Sequence, residues 1–231
     1  KNMIAEFFGL SKSGKSTLKR RLEQEGQLVL KMEDKSRLKK LLFFIKYLLL
    51  QPHKTLYLFY KLNTNYAKIE KLSIKNYFRV FLMRNSYLTA VLSKHEMIKN
   101  TKELVFVDEF SLQSLFMIIQ KKSNKQEIES VLNILPKADY IFLFERNRKK
   151  RHEAYKLPHK RIANATLLPA SWLDMNYALH WMNIMEHNYE IIKKTILENY
   201  KKDNKDFKNI LKKAGSDYIK NELNIYKSKY L

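Results

Sequence analysis

Gly9-Leu10-Ser11-Lys12-Ser13-Gly14-Lys15-Ser16-Thr17 carries the spacing G-x-x-x-x-G-K-[ST], and the rest of the chain is read outward from it. Two glycines let the backbone curl so that its N–H groups wrap a polyphosphate, the lysine reaches the outer phosphates, and the serine hydroxyl is suited to ligate Mg²⁺. The flanks supply the context that such a loop needs. Met3-Ile4-Ala5-Glu6-Phe7-Phe8 is a short apolar run suited to a buried strand, and Ser16 to Glu23 reads as a helix whose N-terminus faces the phosphates. The chain has only four glycines; two lie in this motif, and Gly26 and Gly215 fall where helices are expected to end. Gly9, Ser11, Lys12, Ser13, Gly14, Lys15, Ser16 and Thr17 are thus the expected nucleotide-binding residues, with Lys15 also catalytic.

Further strands are expected around this start. Gln27 to Lys31 reads as a short second strand, and Glu33 and Asp34 behind it either touch a substrate hydroxyl or simply open the next helix. Glu103-Leu104-Val105-Phe106-Val107-Asp108-Glu109 is an apolar run without periodicity, as expected of a parallel strand buried on both faces. An aspartate at its carboxyl end would sit beside the phosphate loop, so Asp108 joins Ser16 as an expected Mg²⁺ ligand. Glu109 has three open roles: to orient a water, to accept a proton from a substrate hydroxyl, or to bind a substrate cation. Asp139 to Glu145 reads as a fourth strand. Residues 146–161 behind it carry eight Lys/Arg, and guanidinium groups there suit the charge of a transferring phosphoryl group.

Composition bounds the whole. At 231 residues and 45% hydrophobic, the chain is long and apolar enough to bury a core as one domain with an insertion. It has no cysteine, which excludes disulfides, thiolate metal sites and a cysteine nucleophile. No opening signal pattern is read, because the apolar start runs straight into the loop; the expected location is cytoplasmic, with peripheral contact at a membrane left open. The net charge of +22 raises the prospect of a polyanionic partner, although lysine is abundant throughout.

Residues 36–102 read as a helical insertion without glycine, with fourteen Lys/Arg against two acids. Arg37 to Leu48 is apolar around most of the helix, which fits a buried or interface-forming helix, and Pro52 breaks it before a second piece from Thr55 to Leu62. Interleaved basic and aromatic residues suit a nucleic-acid or lipid surface; a cap whose lysine stems cover apolar surface is the reading preferred. Residues 170–231 are expected to be helical, with Trp172, Met175, Leu179, Met182, Tyr189, Ile192 and Ile196 as a core-facing stripe.

This order of loop, helical insertion, strand ending in Asp108, then strand and arginine-rich segment resembles the nucleoside-monophosphate kinase group of P-loop proteins, most closely thymidylate kinases. The resemblance covers roughly residues 3–165, with specific matches at Gly9–Thr17 and Asp108. It implies that residues 146–168 form a lid over ATP, with Arg146, Arg148 and Arg151 as catalytic residues, and that Lys12 is the basic residue some members carry inside the loop. Two departures bear on the substrate. Ser11 stands where thymidylate kinases usually have Asp, and Asp108-Glu109-Phe110 stands where they have Asp-Arg-Tyr. The lost arginine normally grips the acceptor's phosphate, so a hydroxyl acceptor such as a nucleoside or sugar is as well supported as a nucleotide.

The expected fold is therefore α/β: a P-loop three-layer domain with a short parallel sheet of four or five strands, a helical insertion and a helical C-terminus. The expected activity is Mg²⁺-dependent transfer of the ATP γ-phosphate to a small acceptor. The alternative is a P-loop ATPase coupled to nucleic acid or an anionic membrane surface.

Overall fold

The computed structural model describes residues 3–10, 13–27, 29–30, 37–66, 74–99, 104–108, 110–119, 121–145, 175–202 and 223–229. The chain folds as a mixed α/β structure. Its elements in order are β1 (Met3–Phe8), α1 (Lys15–Gln24), β2 (Val29–Leu30), α2 (Arg37–Leu50), α3 (Pro52–Tyr66), α4 (Ile74–Ile98), β3 (Leu104–Asp108), α5 (Ser111–Ile118), α6 (Lys125–Leu132), β4 (Tyr140–Phe144), α7 (Met175–Asn199), β5 (Tyr200–Lys202) and β6 (Leu223–Ser228).

The strands form one sheet in the order β2-β3-β1-β4-β6-β5. The first four are parallel, with Glu6 opposite Val107 on one side and Ile141 on the other. β6 runs antiparallel to β4, pairing Phe142 with Ile225, and β5 is antiparallel to β6. The sheet is therefore neither all parallel nor limited to four or five strands, and the C-terminal part is not wholly helical. Physical reasons hid both added strands. Tyr200-Lys201-Lys202 is short with two exposed lysines, a charged edge that blunts further pairing. Leu223 to Ser228 is only six residues and has no long apolar run.

Alternation along β1 sorts the layers. Ala5 and Phe7 face α1, where they meet its buried Leu18 and Leu22 together with Phe106, Phe142 and Phe144. Ile4, Glu6 and Phe8 face the opposite layer. There Phe8 stacks on Phe116 of α5 and Tyr189 of α7, 5.7 and 5.5 Å between centroids. The Tyr189 hydroxyl donates to Phe144 O at 3.2 Å, tying α7 to the end of β4. The stripe read in α7 is in the core at Tyr189, Ile192 and Ile196; Trp172 lies outside the described residues.

Between β2 and β3 stand α2, α3 and α4. Pro52 begins α3 at the position where its missing N–H is not needed, while Thr55 Oγ1 back-bonds to Gln51 O at 2.8 Å. Glu96 of α4 is fully buried and takes ion pairs from Lys46 of α2 and Lys99. Tyr47 packs edge-on against His95, closing the same joint.

Candidate functional site at the carboxyl ends of β1 and β3

The helices that follow β1 and β3 pack on opposite faces of the sheet, α1 beside Phe7 and α5 beside Phe8. It is beyond the carboxyl ends of such adjacent strands, with the elements behind them on opposite faces, that an open α/β sheet usually has its ligand crevice. Gly9 and Asp108 sit at its two lips, since Phe7 pairs with Asp108.

Gly9 is required at its position. A Cβ there would lie 2.7 Å from Phe144 O and 2.9 Å from Phe144 Cβ, inside contact distance of a neighbouring backbone. Gly14 has φ 106°, a left-handed geometry that glycine adopts without strain, and it caps α1 with no side-chain hydrogen bond. No acid occupies the first turn of α1. This helix therefore begins with its positive end uncovered by any capping side chain of its own.

Lys15 leads that first turn and folds back on the loop, donating from Nζ to Gly9 O and, at 3.1 Å, to Leu10 O. The Ser13 hydroxyl is buried without a hydrogen-bond partner, an orphaned polar atom in the wall of the loop. Ser16 is exposed and Thr17 half-buried. These features fit a bound anion. An uncapped helix start, an ammonium that can exchange backbone carbonyls for phosphate oxygens, and an unspent hydroxyl all await an acceptor.

Asp108 is drawn to the same place. Its Oδ2 lies 3.2 Å from Lys19 Nζ, one turn beyond Lys15 and Ser16 on α1. Its backbone O accepts from Lys94 Nζ of α4 at 2.8 Å. The Asp108 carboxylate thus has Lys19 as its ion-pair partner, which Mg²⁺ bound at that oxygen would displace. Lys19 and Lys94 were not singled out from sequence. Lys19 falls at i+3 from Ser16, on the helix face that looks at the strand end; Lys94 had no signal among so many lysines.

Glu6 is the other residue that sequence reading passed over, although it is the one charge inside the apolar run of β1. It is wholly buried, and its Oε1 accepts from Leu112 N at 2.7 Å and Gln113 N at 3.2 Å at the start of α5. Burial pushes the carboxyl up to about 8, outweighing those two N–H bonds and the field of Lys94. Its Oε2 has no partner and the residue borders a cavity of about 330 Å³, with Ser111, Thr195 and Tyr200 also on the wall. The segment 135–138 that enters β4 lines this cavity too, so it opens toward the amino ends of the strands, away from the loop.

The structure brings Gly9, Ser13, Gly14, Lys15, Ser16, Thr17 and Asp108 together. Ser11, Lys12, Glu33, Asp34, Glu109, Arg146, Arg148 and Arg151, with the lid-like segment 146–168, lie outside the described residues. Compared with family models, curated proteins and solved structures, the chain matches none.

Proposed function

We propose that the chain is a P-loop kinase that transfers the γ-phosphate of ATP, with Mg²⁺, to a small acceptor bearing a hydroxyl or a phosphate. The carrying observation is the convergence at one crevice of an uncapped helix start, Lys15 lying over the loop, and Asp108 tethered to the same helix through Lys19. The amides of Gly14 to Thr17 would hold phosphate oxygens, Lys15 would neutralise charge on the outer phosphates, and Ser16 and Asp108 would hold the metal. When bound, MgATP supplies the phosphoryl group together with a cation that offsets its charge.

The chain's own residues then have separable tasks. Glu109, adjacent to Asp108, takes the proton of an acceptor hydroxyl as that oxygen attacks. Arg146, Arg148 and Arg151 stabilise the charge spread over the transferring group and exclude water until the acceptor is seated. Lys12 adds a further positive charge from within the loop. Glu33 and Asp34, behind β2, suit the acceptor's hydroxyls.

One observation favours a rival of another class. Glu109 directly after Asp108 is where a water-activating glutamate would stand in an ATPase coupled to nucleic acid or a membrane. Incubation with MgATP and a panel of nucleosides, nucleotides and sugars separates the two. Consumption that needs an acceptor supports the kinase; equal consumption without one refutes it.

A further inference from the structure

The helices between β2 and β3 carry an exposed apolar surface that the proposed phosphoryl transfer does not use. Ten of the twelve exposed large hydrophobic residues among those described lie between Leu38 and Leu82, although the sheet and its helices make up most of the chain. The densest part is one stripe of α2. Leu38, Leu41, Leu42, Ile45 and Leu49 are 67, 50, 57, 41 and 75% exposed, and their three- and four-residue spacing places them within one arc of the helix. The opposite face of α2 is already spent: Tyr47 is buried, and Lys40 O accepts from Ser93 Oγ of α4 at 2.8 Å. The helix is thus apolar on both sides, packed on one and bare on the other. A contiguous bare patch of leucines is costly in water and marks a surface that something covers.

Charge decides what covers it. Lys39 and Lys46 are exposed beside the stripe, Lys46 also pairing with Glu96 at 3.6 Å, and residues 36–102 carry fourteen basic against two acidic residues. A second copy would bring two such surfaces face to face, and like charges oppose that association. An anionic bilayer gains from both features at once. Leucines enter the boundary between headgroups and acyl chains while lysine stems lie along the helix with their ammonium groups among the phosphates. No described helix is long and apolar enough to cross a membrane, so the contact is one of lying on the surface.

We infer that the α2 stripe Leu38, Leu41, Leu42, Ile45 and Leu49, flanked by Lys39 and Lys46, docks the protein on anionic lipid surfaces. This does not depend on the kinase reading. Lysine stems shielding the apolar surface from solvent, as preferred from sequence, leave these five side chains bare.

The test is flotation of the full chain with vesicles of phosphatidylcholine alone and of phosphatidylcholine mixed with phosphatidylglycerol, alongside its molar mass in solution. The wild type should float with the mixed vesicles, release as salt rises, and stay behind with the neutral ones. Two exposed pairs, Leu42→Gln/Leu49→Gln and Leu38→Gln/Ile45→Gln, should each weaken flotation roughly tenfold or more, because each removes two side chains from the buried set. Both should melt with the wild type, since the replaced residues do not pack in the core. Three results would overturn the inference: no flotation with the mixed vesicles at low salt, unchanged flotation in both pairs, or a dimer that either pair converts to monomer.

Discussion

Three residues can be tested singly. Lys15 is expected to neutralise charge and not to pack, so Lys15→Ala should lose turnover by on the order of a hundredfold or more while melting like the wild type. Nucleotide-dependent activity and a melting curve on the same sample check both halves. Gly9→Ala forces a Cβ against Phe144 O at 2.7 Å and should cost on the order of 1–3 kcal/mol in denaturant unfolding. Glu6 makes a pH prediction. Its folded value of about 8 lies above the ordinary 4.5, so its contribution is complete below pH 4.5 and is lost as pH rises toward 8. His95, held down to about 4 from 6.5 by burial, has the opposite sign, and its contribution is lost as pH falls from 6.5 to 4. Between pH 6.5 and 8 only Glu6 acts of the two. Unfolding free energy should therefore fall by about 1 kcal/mol per pH unit upward across that window, less steeply as pH nears 8. Glu6→Gln, which keeps an acceptor for Leu112 N and Gln113 N, should flatten the slope; an unchanged slope would show that Glu6 is ionised throughout.

At the scale of elements, β6 is the test of the mixed sheet. All five residues of β4 are buried, although without β6 the strand would form an open edge. A chain ending at Glu222 should lose the Phe142–Ile225 pairing, melt well below the full chain and aggregate through the bared edge; equal melting of the two would remove β6 from the fold. Legibility followed the same physics. β1, β3 and β4 announced themselves because a strand buried on both faces must be apolar throughout, and α1 because its loop chemistry fixes its start. β5 could not do so, since a short charged strand at a sheet edge has a composition that loops share, and β6 mixes polar with apolar residues without a long apolar run. For α2 the sequence showed a helix apolar nearly all round; only packing revealed which side remained bare. At the site, motif spacing placed Gly9, Gly14 and Lys15, and the reading of a buried parallel strand set Asp108 beside them, whereas Lys19 and Lys94 reach Asp108 through tertiary geometry that no local pattern encodes. Glu6 was readable as a lone charge in an apolar run, yet its partners at Leu112 and Gln113 were not.

Over the whole molecule, the exposed leucines and the ends of the parallel strands fall in different parts of the fold. The parallel strands and α1 frame the crevice, while the helices between β2 and β3 hold the bare leucines and much of the net charge. The central claim remains the kinase reading, and acceptor-dependent consumption of ATP tests it most directly, with Glu109→Gln as the companion variant. The account predicts slow hydrolysis of MgATP alone and marked acceleration by one acceptor class. It also predicts loss of that acceleration by roughly 10²–10⁴-fold in Glu109→Gln, with ATP affinity nearly unchanged. Fast hydrolysis with no acceptor present, abolished by Glu109→Gln, would contradict it.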